Sequence, residues 1–256
     1  MSLKRILTSF SIVACALLAL CFSGTLLSQT NSTPPAASKD ISGMWELRDT
    51  SGSGSFSGIY EHLEKASLTP EAIGKEQAEQ AKRNAGQVVS YGSRYCHYLG
   101  MPFIMGQSPP IDIVQSGDET MIFSEQSSAA RHIYTDGRGH PDPNTLESTT
   151  NGHSIGHWEG DTFVVDTIGF NELGATNIPG GGFRTPKSRL VEHFRLIDGG
   201  AKLHAEFTWT DPTVFTQPHS YELNYFRMKP GSYVMEDFCD ASDAAQGRSV
   251  VPPVQK

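Results

Sequence analysis

One carboxylate in this sequence stands where a charge is costly. Between residues 189 and 197, Glu192 alternates onto the same face as Leu190, Phe194 and Leu196. The next apolar run adds Leu203, Ala205, Phe207 and Trp209 to that wall. A carboxylate there either meets a cation or has its pKa raised by desolvation. A raised pKa would suit a general acid or base. The alternative is an internal ion pair, for which Arg131 or Arg138 is available.

A second group of reactive side chains is compressed into Asp136-Gly137-Arg138-Gly139-His140-Pro141. Its glycines permit sharp turns, and Arg138 is suited to holding a carboxylate or other oxyanion bidentately. Otherwise Asp136 accepts backbone N–H bonds and Arg138 caps it. His153 follows Asn151-Gly152 at the mouth of a strand, where a side chain can reach a ligand or serve packing alone. His153 and His157 have helical metal-ligand spacing, but on a strand four residues span about 13 Å, too far for one ion. No metal is therefore expected at this pair. The nucleophile-elbow, phosphate-loop, dinucleotide and Cys-x-x-Cys templates are all missing, and no cofactor is expected.

These residues sit on elements with a period of two. Strand-like runs are read at 111–115, 120–125, 131–135, 154–158, 162–168, 189–197, 202–209, 220–228 and 233–238, after a first strand in 41–47 with Ile41, Trp45 and Leu47 on one face. Two-residue turns at Gly117-Asp118, Gly160-Asp161 and Gly199-Gly200 set registers. They place His193 opposite Glu206, Arg195 opposite His204, His157 opposite Val164 and Ile155 opposite Asp166, with His153, His157 and Asp166 on one face. Thr69-Pro70-Glu71 starts a helix that runs to about Asn84. The fold class is mainly β: an antiparallel meander or lipocalin-like β-barrel with one N-terminal helix and long loops, since closure removes exposed edges. The irregular stretch 169–188 has the length of a lid or binding loop.

The N-terminus carries Lys4 and Arg5 and then no charge up to Leu27, a signal-peptide pattern. Residues 1–28 are read as a signal peptide, 29–39 as a disordered tether, 40–240 as one barrel-like domain and 241–256 as a flexible tail. The expected location is the periplasm or the medium, with no stable membrane span after signal removal. A retained anchor or a lipoprotein is the alternative. Cys15 and Cys21 fall in the signal, leaving Cys96 and Cys239, which are expected to pair in an oxidising compartment rather than remain as two buried thiols. The formal charge of −8 becomes more negative without Lys4 and Arg5. That argues against nucleic acid or an anionic membrane surface as partner.

Two blocks, Arg131-His132-Ile133-Tyr134-Thr135-Asp136-Gly137-Arg138-Gly139-His140-Pro141 and the stretch from Gly152-His153-Ser154-Ile155-Gly156 through Trp158-Glu159-Gly160-Asp161-Thr162 to Thr167, resemble those of a group of exported bacterial proteins with no assigned activity. The resemblance implies export and a single domain. Gly43-Met44-Trp45 is similar to the Gly-x-Trp start of lipocalins, in which a tryptophan plugs one barrel end; an aromatic filling the core reads the same way. The first functional expectation is a barrel whose cavity, lined by Trp45, Tyr134, Phe194, Phe207 and Trp209, binds a small amphipathic ligand with Arg138 or Glu192 at its polar end. The alternative is a metal-independent acid–base enzyme, a lyase, isomerase or hydratase, in which Glu192, His153, Asp136 and His140 converge with Arg138 on one pocket. A third is an envelope interaction protein.

Overall fold

The three glycine-containing hairpin turns fold at the registers expected of them, and the strands close on themselves. The computed structural model describes residues 39–48, 63–86, 99–107, 109–125, 127–174 and 176–235, all within one compact unit, Ala37–Lys256. Nine strands form a closed barrel in sequence order: β1 Gly43–Leu47, β2 Ile111–Gln115, β3 Glu119–Ser124, β4 Ser127–Tyr134, β5 His153–Glu159, β6 Thr162–Ile168, β7 Arg189–Ile197, β8 Lys202–Thr210 and β9 His219–Arg227. Observed registers match the turn-based ones: Ile155 faces Asp166, His157 faces Val164, His193 faces Glu206 and Arg195 faces His204. The turn after β7 is longer than expected, a single 3-10 turn at Asp198–Gly200, with the register unchanged.

Two expectations fail together. The run expected at 233–238 is not a strand over its described part, where Tyr233 and Met235 are 75% and 61% exposed. That leaves nine strands rather than ten. A closed ring of sequential neighbours can be antiparallel throughout only if its strand number is even, so nine strands require one parallel pair. The pair is β4 with β5, joined through only two register partners, Ile133 with Ser154 and Tyr134 with Ile155. A parallel pair needs a crossover rather than a tight turn. The segment between Tyr134 and His153 is that crossover, and it carries the Asp136 to His140 motif.

Among the described residues the interior is mainly apolar, with its large aromatic side chains closely packed. Trp45, Phe163, Phe170, Phe194, Phe207 and Trp209 have no exposed surface, and Phe194 meets Phe207 edge-on at 6.1 Å while Phe207 stacks on Tyr221 at 5.0 Å. Short turns close one end. There Trp45 donates its ring N–H to the Ile41 carbonyl (3.0 Å) and Arg227 lies over its ring at 4.1 Å. Gly43 is needed beside it: its φ is +132°, and a Cβ would sit 2.6 Å from Arg227 Nη1.

Longer segments cover the other end. Helix α1, Pro70–Asn84, starts where Thr69 Oγ1 accepts from the Ala72 N–H, with Pro70 in its first turn. Ala72 is its one buried residue. The 169–188 stretch is fastened by Arg184, whose buried guanidinium donates to the carbonyls of Met101 (2.6 Å), Asn171 and Leu173. Burial lowers the pKa of this guanidinium to about 10. Among the described residues no helix is long and apolar enough to cross a membrane. The signal segment, the tether, the tail, Cys96 and Cys239 lie outside the described residues.

Candidate functional site

Strands β5 and β6 carry polar clusters on both faces, and the alternation of side chains assigns each residue to one of them. Inward point Arg131, Ser154, Thr167 and Glu192, all fully buried. Arg131 Nη1 donates to Glu192 Oε1 at 2.8 Å and Nη2 to Oε2, a bidentate pair. Nη2 also reaches Thr167 Oγ1 (2.9 Å), Nε and Nη2 reach Ser154 Oγ, and the two hydroxyls meet at 2.8 Å. The lone carboxylate of the apolar wall is therefore an ion-pair partner, of the two cations considered the Arg131 one. Ser154 and Thr167, which complete its shell, were not singled out from the sequence.

Outward point Tyr134, His153 and Asp166, and the crossover loop folds back over them. Three of the expected reactive residues meet here. His140 Nδ1 and His153 Nδ1 lie 2.9 Å apart, with their rings edge-on at 5.1 Å. His140 Nε2, buried and without a hydrogen bond, stands 3.5 Å from Asp166 Oδ2. Arg189 grips Asp166 with two bonds of 2.7 and 2.6 Å. The Tyr134 ring lies 5.3 Å from His153 on one side, and Arg138 lies over it at 4.1 Å. Arg138 is itself held by Asp136 through Nε and Nη2, and its backbone N–H also donates to Asp136 Oδ1 (3.1 Å), so the capped-turn reading of this loop holds. The Arg138 contact keeps the Asp136 carboxyl below its ordinary range.

Gly152 brings the crossover onto the wall. Its φ is +71°, and a Cβ would approach Thr167 Cγ2 to 2.7 Å and the Ile168 carbonyl to 2.8 Å. Thr149 N donates to the Gly169 carbonyl (3.0 Å) and Asn171 N to that of Thr149 (2.9 Å), continuing the seam past the strands.

The Asp166 charge favours one arrangement of protons in the histidine pair. An Nδ1 to Nδ1 bond needs one donor and one acceptor. With its proton on Nε2, His140 offers N–H toward the Asp166 carboxylate; with the opposite tautomer it would turn a lone pair on that charge. In the arrangement the carboxylate favours, His140 accepts at Nδ1, His153 donates from Nδ1, and the basic lone pair of His153 sits on Nε2. That atom has no partner among the described residues. Burial lowers the His153 pKa, and the neighbouring His140 and Arg138 lower it further. Its neutral, proton-accepting form is favoured.

The common pocket expected of Glu192, His153, His140 and Asp136 is not formed. Glu192 lies inside the barrel, the others outside it, and the strand wall runs between them. The cavity lining is also corrected: Trp45, Phe194, Phe207 and Trp209 have no surface open even to water and are core, while Tyr134 belongs to the outer face. His157 turns to Glu159 at 2.8 Å, away from His153. Asp166 and Arg189, which complete the outer cluster, were not expected as site residues. The signal for Asp166 was present in the β5–β6 register, which put it on the face of His153. The chain matches no protein-family model, and a comparison with curated proteins finds no match.

Proposed function

We propose that this β-barrel domain works outside the cytoplasm and binds a small molecule on its outer wall, where His153 takes a proton from it. The observation that carries this is the chain Asp166, His140, His153, which ends on an unoccupied Nε2. Asp166, anchored by Arg189, stands beside His140, and His140 orients His153 through the Nδ1 to Nδ1 contact while favouring its neutral form. Arg138 Nη1, without a partner among the described residues, and the buried, unpartnered Asn151 Oδ1 supply further polar contacts near the crossover. The Tyr134 ring gives an apolar surface. A neutral imidazole with a positioned partner is a general base for lyase, isomerase or hydratase chemistry, with the proton returned to the product. The lumen is a poorer place for a ligand, because its aromatic walls already fill it.

The test is incubation of the mature protein with a small-molecule extract in deuterated water, followed by mass spectrometry. Molecules that gain deuterium or convert, in a manner lost in His153→Ala and kept in His157→Ala, are the expected result. Retention without exchange leaves binding standing and removes the proton transfer. If nothing is retained, exchanged or converted, the reading fails as a whole and an interaction role takes its place.

A further inference from the structure

The helix at the long-loop end is too polar to be held by burial, and it leaves a space beside it. α1 touches the 169–188 stretch through a few directed contacts: Glu76 Oε1 accepts from the Gly182 N–H (2.7 Å), Lys75 pairs with Glu172 (3.3 Å), and the Lys75 ammonium lies 4.1 Å from the centre of the Phe183 ring. Between helix and strap lies a cleft of about 630 Å³, within the range of small-molecule sites. It shares no residue with the histidine cluster.

The chemistry of the walls narrows the occupant. Three cations, Lys75, Arg83 and Arg184, face three carboxylates, Glu76, Glu79 and Glu172. Most are already engaged: Lys75 with Glu172, Glu79 with Lys82 at 2.6 Å, and Arg184 with three carbonyls. The cleft therefore offers no net field to draw an ion. Charged and amide side chains interrupt its apolar surface, which disfavours a long hydrocarbon chain. What it does offer is amide side chains that donate and accept at once: Gln77 and Asn177 line it and make no hydrogen bond among the described residues. One half-buried aromatic, Phe183, adds an apolar surface.

The strap that carries Asn177 and Phe183 is rigid. Ile178 N donates to the Gly182 carbonyl and Gly181 N to that of Ile178, both at 3.0 Å. Gly180 and Gly182 have positive φ and are fixed by close neighbours: a Cβ on Gly180 would meet His219 at 2.6 Å, and one on Gly182 would meet Phe215 at 2.7 Å. A frame that does not have to be ordered on binding gives a weakly interacting neutral ligand its best chance.

We infer that this cleft binds a neutral polyhydroxylated ligand, a mono- or oligosaccharide, whose paired hydroxyls meet Gln77 and Asn177 and whose C–H groups reach the part of Phe183 left exposed beside Lys75. The site is independent of the histidine cluster. The test is NMR titration of the full chain with glucose, trehalose, cellobiose, maltotriose and N,N′-diacetylchitobiose, with citrate and laurate as the competing classes. At least one saccharide should shift resonances of α1 and the 176–184 strap at millimolar concentration. Its affinity should fall about tenfold in Asn177→Ala and in Gln77→Ala on the exposed side of α1, the loss of one ligand hydrogen bond each, and stay unchanged in His153→Ala. No shift with any saccharide overturns the inference. So does binding of citrate or laurate in their place, or saccharide binding that survives both amide substitutions.

Discussion

The two polar clusters of β5 and β6 stand back to back: Ser154 and Thr167 face inward beside His153 and Asp166, which face outward. Inside, the charges meet in a bidentate pair and both hydroxyls are bonded to it. Outside, Asp166 only approaches His140, whose Nε2 makes no hydrogen bond, and beyond the His140 to His153 contact His153 Nε2, Arg138 Nη1 and Asn151 Oδ1 are also left over. A buried network that is fully satisfied specifies a structure. One that is left incomplete at a water-accessible surface has capacity for a ligand. A buried charge in an apolar wall is thus a weaker sign of function here than a half-buried imidazole.

The comparison breaks first on stability. Glu192→Leu strands the Arg131 charge in the core and should cost about 3–5 kcal/mol in urea unfolding, whereas Arg131→Met with Glu192→Leu should recover most of it. A loss of under 1 kcal/mol for the single change would remove the structural role of the inner cluster. Next comes Gly152→Ala, which forces a Cβ against Thr167 and Ile168 at positive φ. About 1–3 kcal/mol is expected, and the NMR signature of the His140 to His153 bond should vanish. His153→Gln should alter unfolding free energy by less than about 1 kcal/mol while removing the proton transfer measured by deuterium exchange.

The smallest effect is the pH dependence of the outer cluster. The folded chain holds the His153 pKa below its ordinary value, so the unfolded chain binds the proton first as pH falls. The stability His153 contributes is complete above an unfolded pKa of about 6.5. It declines as pH drops toward the folded value and is level below it. With much of the ring exposed, solvent screening keeps the change small. Urea midpoints measured across that window should fall with decreasing pH in wild type, and the part of that slope due to His153 should be absent in His153→Gln. In His140→Ala the His153 pKa, followed by NMR, should rise, because one cause of its depression is gone.

Much of this fold was legible because its hairpins are short. Gly160-Asp161 alone fixes the register of β5 and β6, and Thr69-Pro70 fixes the start of α1. Where the chain lacks such local punctuation the reading failed. Nothing local in the crossover says that β5 runs parallel to β4, and with a tenth strand counted at 233–238 no parallel pair was needed. The outer site was half legible. Arg131 and Ile133 facing inward already place Tyr134 outside, an alternation that the lumen assignment passed over. Asp166 was on the right face, but the approach of His140 to it depends on how the crossover folds back. That is set by Gly152 and by packing distant in sequence, such as Leu146 against Gly169.

Pairing of β1 with both β2 and β9 also imposes an order of events on a chain that emerges N-terminus first. Until Arg227 has cleared the ribosome or a translocation pore, Trp45 can be covered from one side only, and the sheet keeps two open edges. Closure is therefore the last of the strand pairings to form. A passage arrested anywhere before His219 leaves an edge-exposed intermediate prone to aggregation, so the barrel is most vulnerable just before β9 emerges.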